Sequence, residues 1–325
     1  MTEVDLAVIG AGPTGLYATY YAGFRGLSVA LIDSLPTAGG QIAALYPEKP
    51  IFDVAGFPAV RGQDLVDALY AQAASAAPVI LLGRAATTLH EFADGLEIHT
   101  DTGERIRAGA VLITSGIGTF TPRELPVGTD YLGRGLRYFV PCLDELAGSD
   151  VVVVGGGDSA LDWALALEPI ARSITLVHRR PVFRAHERTV ANLHASSVRI
   201  LTPYEVAEIG GGERLREVLV VGPDGVREIL DAQVVVAALG FIADLGPLET
   251  WGLALRRRCI LVDRTMRTSR ARVFAAGDVA TYDGKVKLIS IGFGEAALAV
   301  NHVAAELRPG LALAPAHSSD QVRAE

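Results

Sequence analysis

One glycine pattern occurs twice in this chain, each time between a run of β-branched residues and a helix, and it restricts the fold more than any other feature. The first copy is Gly10-Ala-Gly12-Pro13-Thr14-Gly15, which follows a strand expected over Asp5–Ile9. The second is Gly155-Gly-Gly157-Asp158-Ser159-Ala160, which follows Val151–Val154 and opens onto the apolar run Leu161–Leu167. Successive β-branched residues read as a parallel strand covered on both faces. The glycines that follow permit a tight turn and close backbone approach, and the helix N-terminus then faces a pyrophosphate. The spacing predicts two dinucleotide-binding β-α-β units.

The two copies end differently. Each second strand, Val29–Ile32 and Ile174–Val177, finishes at the same offset from its first glycine. In the first copy Asp33 stands there, placed to accept the hydroxyls of an unmodified ribose. In the second the chain reads His178-Arg179-Arg180, with Arg184 a turn later. Guanidinium groups at that place hold a 2′-phosphate through paired, charge-assisted hydrogen bonds. The second site is therefore expected to take NADP(H).

The chain has 325 residues, which suggests two domains, and half of them are hydrophobic, enough for a sizeable core. A net charge of −8 argues against general nucleic-acid binding. Cys142 and Cys259 are the two cysteines. They form no disulfide framework, C-x-x-C or zinc pattern, so no metal is expected. The N-terminus enters a strand without a secretory signal, and no apolar run is long enough to span a bilayer. These features predict a soluble, cytoplasmic protein with no membrane partner.

Taken in order, Gly39-Gly40-Gln41 reads as a glycine turn whose backbone could lie flat against a ligand, with Gln41 as donor and acceptor. Tyr46, in the loop Leu45-Tyr-Pro-Glu-Lys49, could stack on a flat ring or be ordinary packing. Gln63–Ala76 predicts a helix, and Gly116–Gly118 and Asp244–Pro247 predict linkers. Arg184-Ala-His186 extends the basic cluster as a possible helix. Val218–Val221 and Val226–Leu230 predict a hairpin through Pro-Asp-Gly. Val273–Asp278 predicts a strand ending in Gly-Asp, followed by small residues that could start a helix, with Asp278 able to accept a ligand hydroxyl or to cap. Gly292–Arg308 predicts the last helix. Arg256-Arg-Arg258 and Lys285/Lys287 are candidate basic patches for an acidic partner, although such runs also serve as solvated faces.

Together these residues resemble the two-dinucleotide-binding-domain flavoproteins, in particular the thioredoxin-reductase-like type of ferredoxin–NADP reductase. The similarity rests on Gly10–Gly15, Gly39–Gln41, Leu45–Lys49, Gly56-Phe-Pro58, Gly155–Ala160, His178–Arg180, Gly277-Asp278, Asp283–Lys287, Gly292-Phe-Gly-Glu295 and His317-Ser318. It implies an α/β fold of two Rossmann-like three-layer domains. An NADP domain over 118–245 is inserted into a discontinuous FAD domain over 1–117 and 246–325. It implies FAD held by Gly10, Gly12, Pro13, Thr14, Gly15, Asp33, Gln41 and Asp278, and NADP(H) held by Gly155, Gly157, Asp158, Ser159, Ala160, His178, Arg179, Arg180 and Arg184. The family usually has Glu where Asp33 stands. Tyr46 would stack on one flavin face and His317, with Ser318 beside it, would cover the other. A homodimer is implied as well.

Thioredoxin reductases carry C-x-x-C before their second glycine pattern; this chain has Phe139-Val-Pro-Cys142. A single thiol cannot form the internal disulfide that relays electrons, so electrons must leave by another route. The expectation is hydride transfer from NADPH to FAD and one-electron exit to ferredoxin or flavodoxin. The alternatives are an NADPH-dependent oxidase, a disulfide reductase working through a separate thiol carrier, and a flavin-bound redox sensor.

Overall fold

Strand β1 (Thr2–Ile9) feeds helix α1 (Pro13–Phe24) through the first glycine turn, and α1 returns to β2 (Val29–Asp33). The computed structural model describes residues 1–314. β1 and β2 run parallel, with Leu6 opposite Val29 and Ile9 opposite Ile32. β2 is buried along its length, as a strand covered on both faces must be. The face of α1 turned to the core is built from Gly15, Leu16, Ala18, Thr19 and Ala22, mostly small residues that let helix and sheet approach closely.

Gly39 and Gly40 do more than turn the chain, because Gly40 begins a short helix, α2 (Gly40–Leu45). Then come α3 (Gly62–Ala74), the strand β3 (Val79–Leu82) beside β2, and the strands β4 (Ala86–Phe92), β5 (Gly95–Thr100) and β6 (Arg105–Ile113). The sheet order is β3-β2-β1-β6-β5-β4. β6 is parallel to β1 and antiparallel to β5.

The second glycine pattern organises its own sheet. It contains β7 (Leu136–Arg137), β8 (Asp150–Val154), α4 (Asp158–Leu167), β9 (Ser173–Val177), α5 (Glu187–Ala195) and β10 (Arg199–Leu201). β11 (Glu205–Gly210), β12 (Glu217–Val221), β13 (Arg227–Asp231) and β14 (Val234–Ala237) follow. The five-stranded sheet has the order β7-β14-β8-β9-β10, and every pairing in it is parallel. The hairpin expected through Pro-Asp-Gly is β12–β13, and β11 adds a third antiparallel strand that local sequence did not reveal. Val151, Val153, Trp163, Leu176 and Val236 fill one side of the parallel sheet. Val152, Val177, Leu201 and Val235 fill the other.

The chain then returns to the first sheet. β15 (Leu255–Arg256) and β16 (Cys259–Leu261) form a hairpin; β17 (Val273–Ala275) joins β6 in parallel; β18 (Ala280–Thr281) pairs with β16; α6 (Ile289–Leu307) closes the fold. Gly277–Val279 is a single 3-10 turn, so the small residues after Asp278 start no helix, and the last helix begins earlier than expected.

Two units result, the first from 1–44, 51–120 and 243–325, the second from 45–50 and 121–242. Each is a Rossmann-like three-layer α/β domain, and the second is inserted into the first. The changeovers lie a few residues from the expected 117/118 and 245/246, because the two linkers pair with each other: Thr119 N–H donates to Asp244 O at 2.9 Å and Asp244 N–H to Ile117 O at 3.0 Å. Residues 45–50 leave the first unit because their side chains are tied into the second.

Candidate functional site

Gly15 lies where helix meets strand so closely that a Cβ there would stand 1.8 Å from Gly10 O. The turn is braced by Thr114 at the end of β6, whose hydroxyl donates to Ile9 O at 3.0 Å or to Gly10 O at 2.8 Å. Gly39 N–H donates to Ala11 O at 2.8 Å, so the second glycine pair docks on the first loop. Gly12 heads α1 with no side-chain cap, and Pro13 takes the first helical position, where its missing N–H costs nothing. A Cβ added at Gly12 would find no atom closer than Gly40 Cα at 3.9 Å. An uncapped helix start beside open space has the form of an anion cradle. Close to it, the Ser115 hydroxyl is buried with no hydrogen-bond partner among the described residues.

Asp33 ends β2 at 9% exposure. Its carboxylate accepts from Ala11 N–H at 2.5 Å and Leu35 N–H at 2.8 Å. Burial pushes its pKa up, and the two amides pull it back part of the way. Two amides leave carboxylate lone pairs for ribose hydroxyls. Gln41, on the first turn of α2, lies beside Gly116. Thr14 packs against Gly277 and Gly292, bringing the starts of α1, of the Asp278 turn and of α6 together. These features fit a flavin dinucleotide laid from Asp33 across the Gly10–Gly15 loop.

The second loop repeats the device. Gly155 holds φ at 154°, and a Cβ there would lie 2.5 Å from Ala238 O. Gly157 heads α4, again uncapped by a side chain. Ala160 is fully buried against the sheet and Ser159 is exposed. The Asp158 carboxylate accepts from His186 N–H at 2.9 Å. Arg184-Ala-His186 is therefore not helical. Arg184 N–H donates to Gly156 O at 2.7 Å and His186 caps α5 from an extended conformation. This return brings Arg184 to the glycine loop beside Arg179 and Arg180. All three arginines are exposed, and none pairs with a carboxylate among the described residues. The His178 ring lies against Gly156 and stacks on Phe183 with centroids 5.5 Å apart. Burial first, then the nearby guanidiniums, hold its pKa below the ordinary value. At neutral pH His178 thus shapes the site, while the arginines supply its charge.

The loop after α2 is fastened to the second unit. Leu143 N–H donates to Glu48 at 2.7 Å, Lys49 pairs with Asp162 of α4 at 2.5 Å, and the Tyr46 ring packs on the apolar cluster containing Val140 and Trp163. His317 and Ser318 lie outside the described residues.

Local sequence did not reveal a buried polar network beneath Asp278. The Glu295 carboxylate, 3% exposed, accepts from Gly277 N–H at 2.8 Å and Tyr282 hydroxyl at 2.7 Å, and binds Lys285 Nζ at 2.5 and 2.6 Å. Lys285 is therefore no docking cation. A glutamate between the small residues of an apolar helix was the available signal. Among the described residues no cluster of His, Cys, Asp or Glu could hold a metal, and no helix is long and apolar enough to cross a membrane.

The sequence profile of the pyridine nucleotide-disulphide oxidoreductase family matches residues 4–301. The chain is 61% identical to the ferredoxin–NADP reductase of Saccharopolyspora erythraea, with 98% of each protein covered. It is 48% identical to that of Thermus thermophilus, over 98% of this chain and 97% of the relative. The fold is similar to that of T. acidophilum thioredoxin reductase, with a TM-score of 0.84 and 27% identity over 94% of this chain and 99% of the other.

Proposed function

This chain belongs to the pyridine nucleotide-disulphide oxidoreductase family, and from that premise we propose that it passes electrons between NADPH and ferredoxin, with flavodoxin as a related acceptor. The observation that carries the reading is a pair of contrasting glycine-loop sites in a chain with no dithiol. One site closes on Asp33 and the other on three exposed arginines, while Cys142 and Cys259 are both free and lie in different units. The whole-length relatives bear the name of this activity.

Bound FAD supplies the chemistry, accepting two electrons as a hydride and releasing them singly. The protein places its cofactors. The α1 amides and Ser115 hydroxyl would hold the first dinucleotide, Asp33 and Asp278 would accept its hydroxyls, and Gln41 would lie beside it. Gly155, Gly157 and the start of α4 would hold the second, with Arg179, Arg180 and Arg184 placed to take its 2′-phosphate. The resemblance would give one flavin face to Tyr46 and the other to His317 with Ser318, the latter two lying outside the described residues. No side chain acts as nucleophile.

The test is NADPH-driven cytochrome c reduction by the flavin-loaded protein, with and without ferredoxin and with NADH as control. Strong stimulation by ferredoxin, with NADPH far better than NADH, supports the reading. Dye reduction without ferredoxin stimulation removes it. Cys142→Ser is expected to leave the ferredoxin-dependent rate within about twofold, as surface changes away from a site usually do. A rate that collapses would point instead to a thiol relay.

The protein pairs with a second copy through the outer face of α1 and α6. Tyr17 meets Tyr21 and Phe293 at centroid distances of 6.0 and 5.2 Å, Tyr21 meets Phe24, and Phe24 is 69% exposed. A half-buried ring cluster that ends in an exposed phenyl marks an interaction surface. Light scattering is expected to give twice the chain mass, and Phe24→Asp to shift the protein toward monomer; a wild-type monomer at micromolar concentration overturns this.

A further inference from the structure

The β15–β16 hairpin carries an unfavourable turn. Leu255 faces Ile260 and Arg256 faces Cys259, so the loop is the two residues Arg257-Arg258. Their φ values are 52° and 60°. A two-residue hairpin with both residues left-handed is the turn for which Asn-Gly is strongly preferred. Arginine gains nothing there from its backbone, since a left-handed residue with a Cβ is disfavoured. Retained strain of this kind points to use of the side chains.

The side chains also gather unneutralised charge at one place. Several cations of the first unit are neutralised locally: Arg84 by Glu104, Arg107 by Asp94, Arg267 by Glu306, Arg270 by Glu91, Arg308 by Asp5 and Lys285 by Glu295. Arg256 is paired with Asp283 at 2.8 Å. Arg257 and Lys287 have no carboxylate partner among the described residues, and Arg258 donates only to a backbone oxygen, Ala243 O at 3.2 Å. Arg256, Arg257 and Arg258 are exposed, as is Lys287. Lys287 Nζ lies 3.8 Å from Cys259 Sγ, which places it beside the turn of the same hairpin. Exposed Leu255, Leu261 and Val286 lie among these cations. The result is a positive, partly apolar tip on a chain whose net charge is −8.

The hairpin adjoins the cofactor turn. Cys259 Sγ is 3.8 Å from Asp278 O, and β16 pairs with β18, the strand directly after the Gly277–Val279 turn. A partner seated on the tip is one layer of residues from the turn assigned to FAD. We infer that Arg257, Arg258 and Lys287 form the docking surface for a small acidic one-electron carrier protein. This inference rests on the proposed function and names where its acceptor binds. A carboxylate-rich carrier is attracted by the local positive field although the chain as a whole is acidic, because steering follows local charge.

Two variants test it, each assayed as flavin-loaded full chain. Arg257→Glu with Arg258→Glu reverses the tip. Arg257→Asn with Arg258→Gly removes its charge and installs the preferred turn, so it is expected to melt no lower than wild type. The KM for purified ferredoxin is expected to rise about tenfold or more in the reversed variant at low ionic strength, and severalfold in the Asn-Gly variant. The difference is expected to shrink toward twofold at about 0.5 M salt, where screening is strong. Ferricyanide reduction, KM for NADPH and flavin content are expected to stay at wild-type values. If both variants keep the wild-type KM for ferredoxin, the docking surface is wrong and the proposed function stands. A wild-type protein with no ferredoxin-dependent turnover overturns the proposed function and this surface with it.

Discussion

Replacing Arg179 and Arg180 together with alanine is expected to raise the KM for NADPH about 100-fold and to leave turnover with NADH within twofold. Hydrogen bonds to a charged partner contribute roughly 1.5–3 kcal/mol each, and about 1.4 kcal/mol is a factor of ten in affinity. Two guanidiniums would on that scale exceed 100-fold. The lower figure is used because all three arginines are exposed and salt screens them. Arg184 remains, held at the glycine loop through its own backbone. NADH has no 2′-phosphate, so its binding does not depend on these groups. Steady-state kinetics with both nucleotides checks this. An unchanged KM for NADPH would move the 2′-phosphate elsewhere. Because arginine does not titrate near neutrality and His178 is already held neutral, the preference for NADPH is expected to persist from pH 7 to about pH 9.

The second large effect concerns the network beneath Asp278. Lys285→Met leaves the Glu295 carboxylate buried without its cation. Removing one partner of a buried pair costs about 3–5 kcal/mol. For a large domain each kcal/mol moves Tm by roughly 2–4 °C, so a fall of about 6–20 °C is expected. Flavin release should come earlier still, since Glu295 also anchors Gly277 N–H and so the Asp278 turn. Adding Glu295→Gln is expected to recover part of the loss, because a neutral amide no longer needs the cation. Tyr282, pushed up to about 12 by burial and then by Glu295, remains a donor through the whole physiological range. Its contribution should therefore not vary with pH in that window. Thermal melts followed by flavin fluorescence decide the matter. A Tm within 2 °C of wild type for Lys285→Met would show that the pair carries little.

Local sequence was sufficient where the physics is local. The two glycine loops, the strands before them and the helices after them follow from β-branching, turn geometry and apolar periodicity within about thirty residues. The contrasting ends at Asp33 and His178–Arg180 are legible for the same reason, since each is a fixed step along one β-α-β unit. The fold class follows because two such units in one chain leave little choice of architecture.

What only the tertiary structure decided depends on partners far away in sequence. Nothing near Lys285 says that Glu295 neutralises it, so one of the two lysines first read as a docking patch is buried and the other is left free. Nothing within 45–50 says that Glu48 and Lys49 bind Leu143 and Asp162. The segment 181–186 carries no strand signal, yet it returns to Gly156 and brings Arg184 to the second glycine loop. The Arg257-Arg258 turn lacks every residue that normally marks such a hairpin, and β16, held by β18, is what keeps it in place. In each case a side chain or strand chose between conformations of similar local energy, and the choice was made by a charge, an amide or an apolar face that the folded chain alone brings within reach.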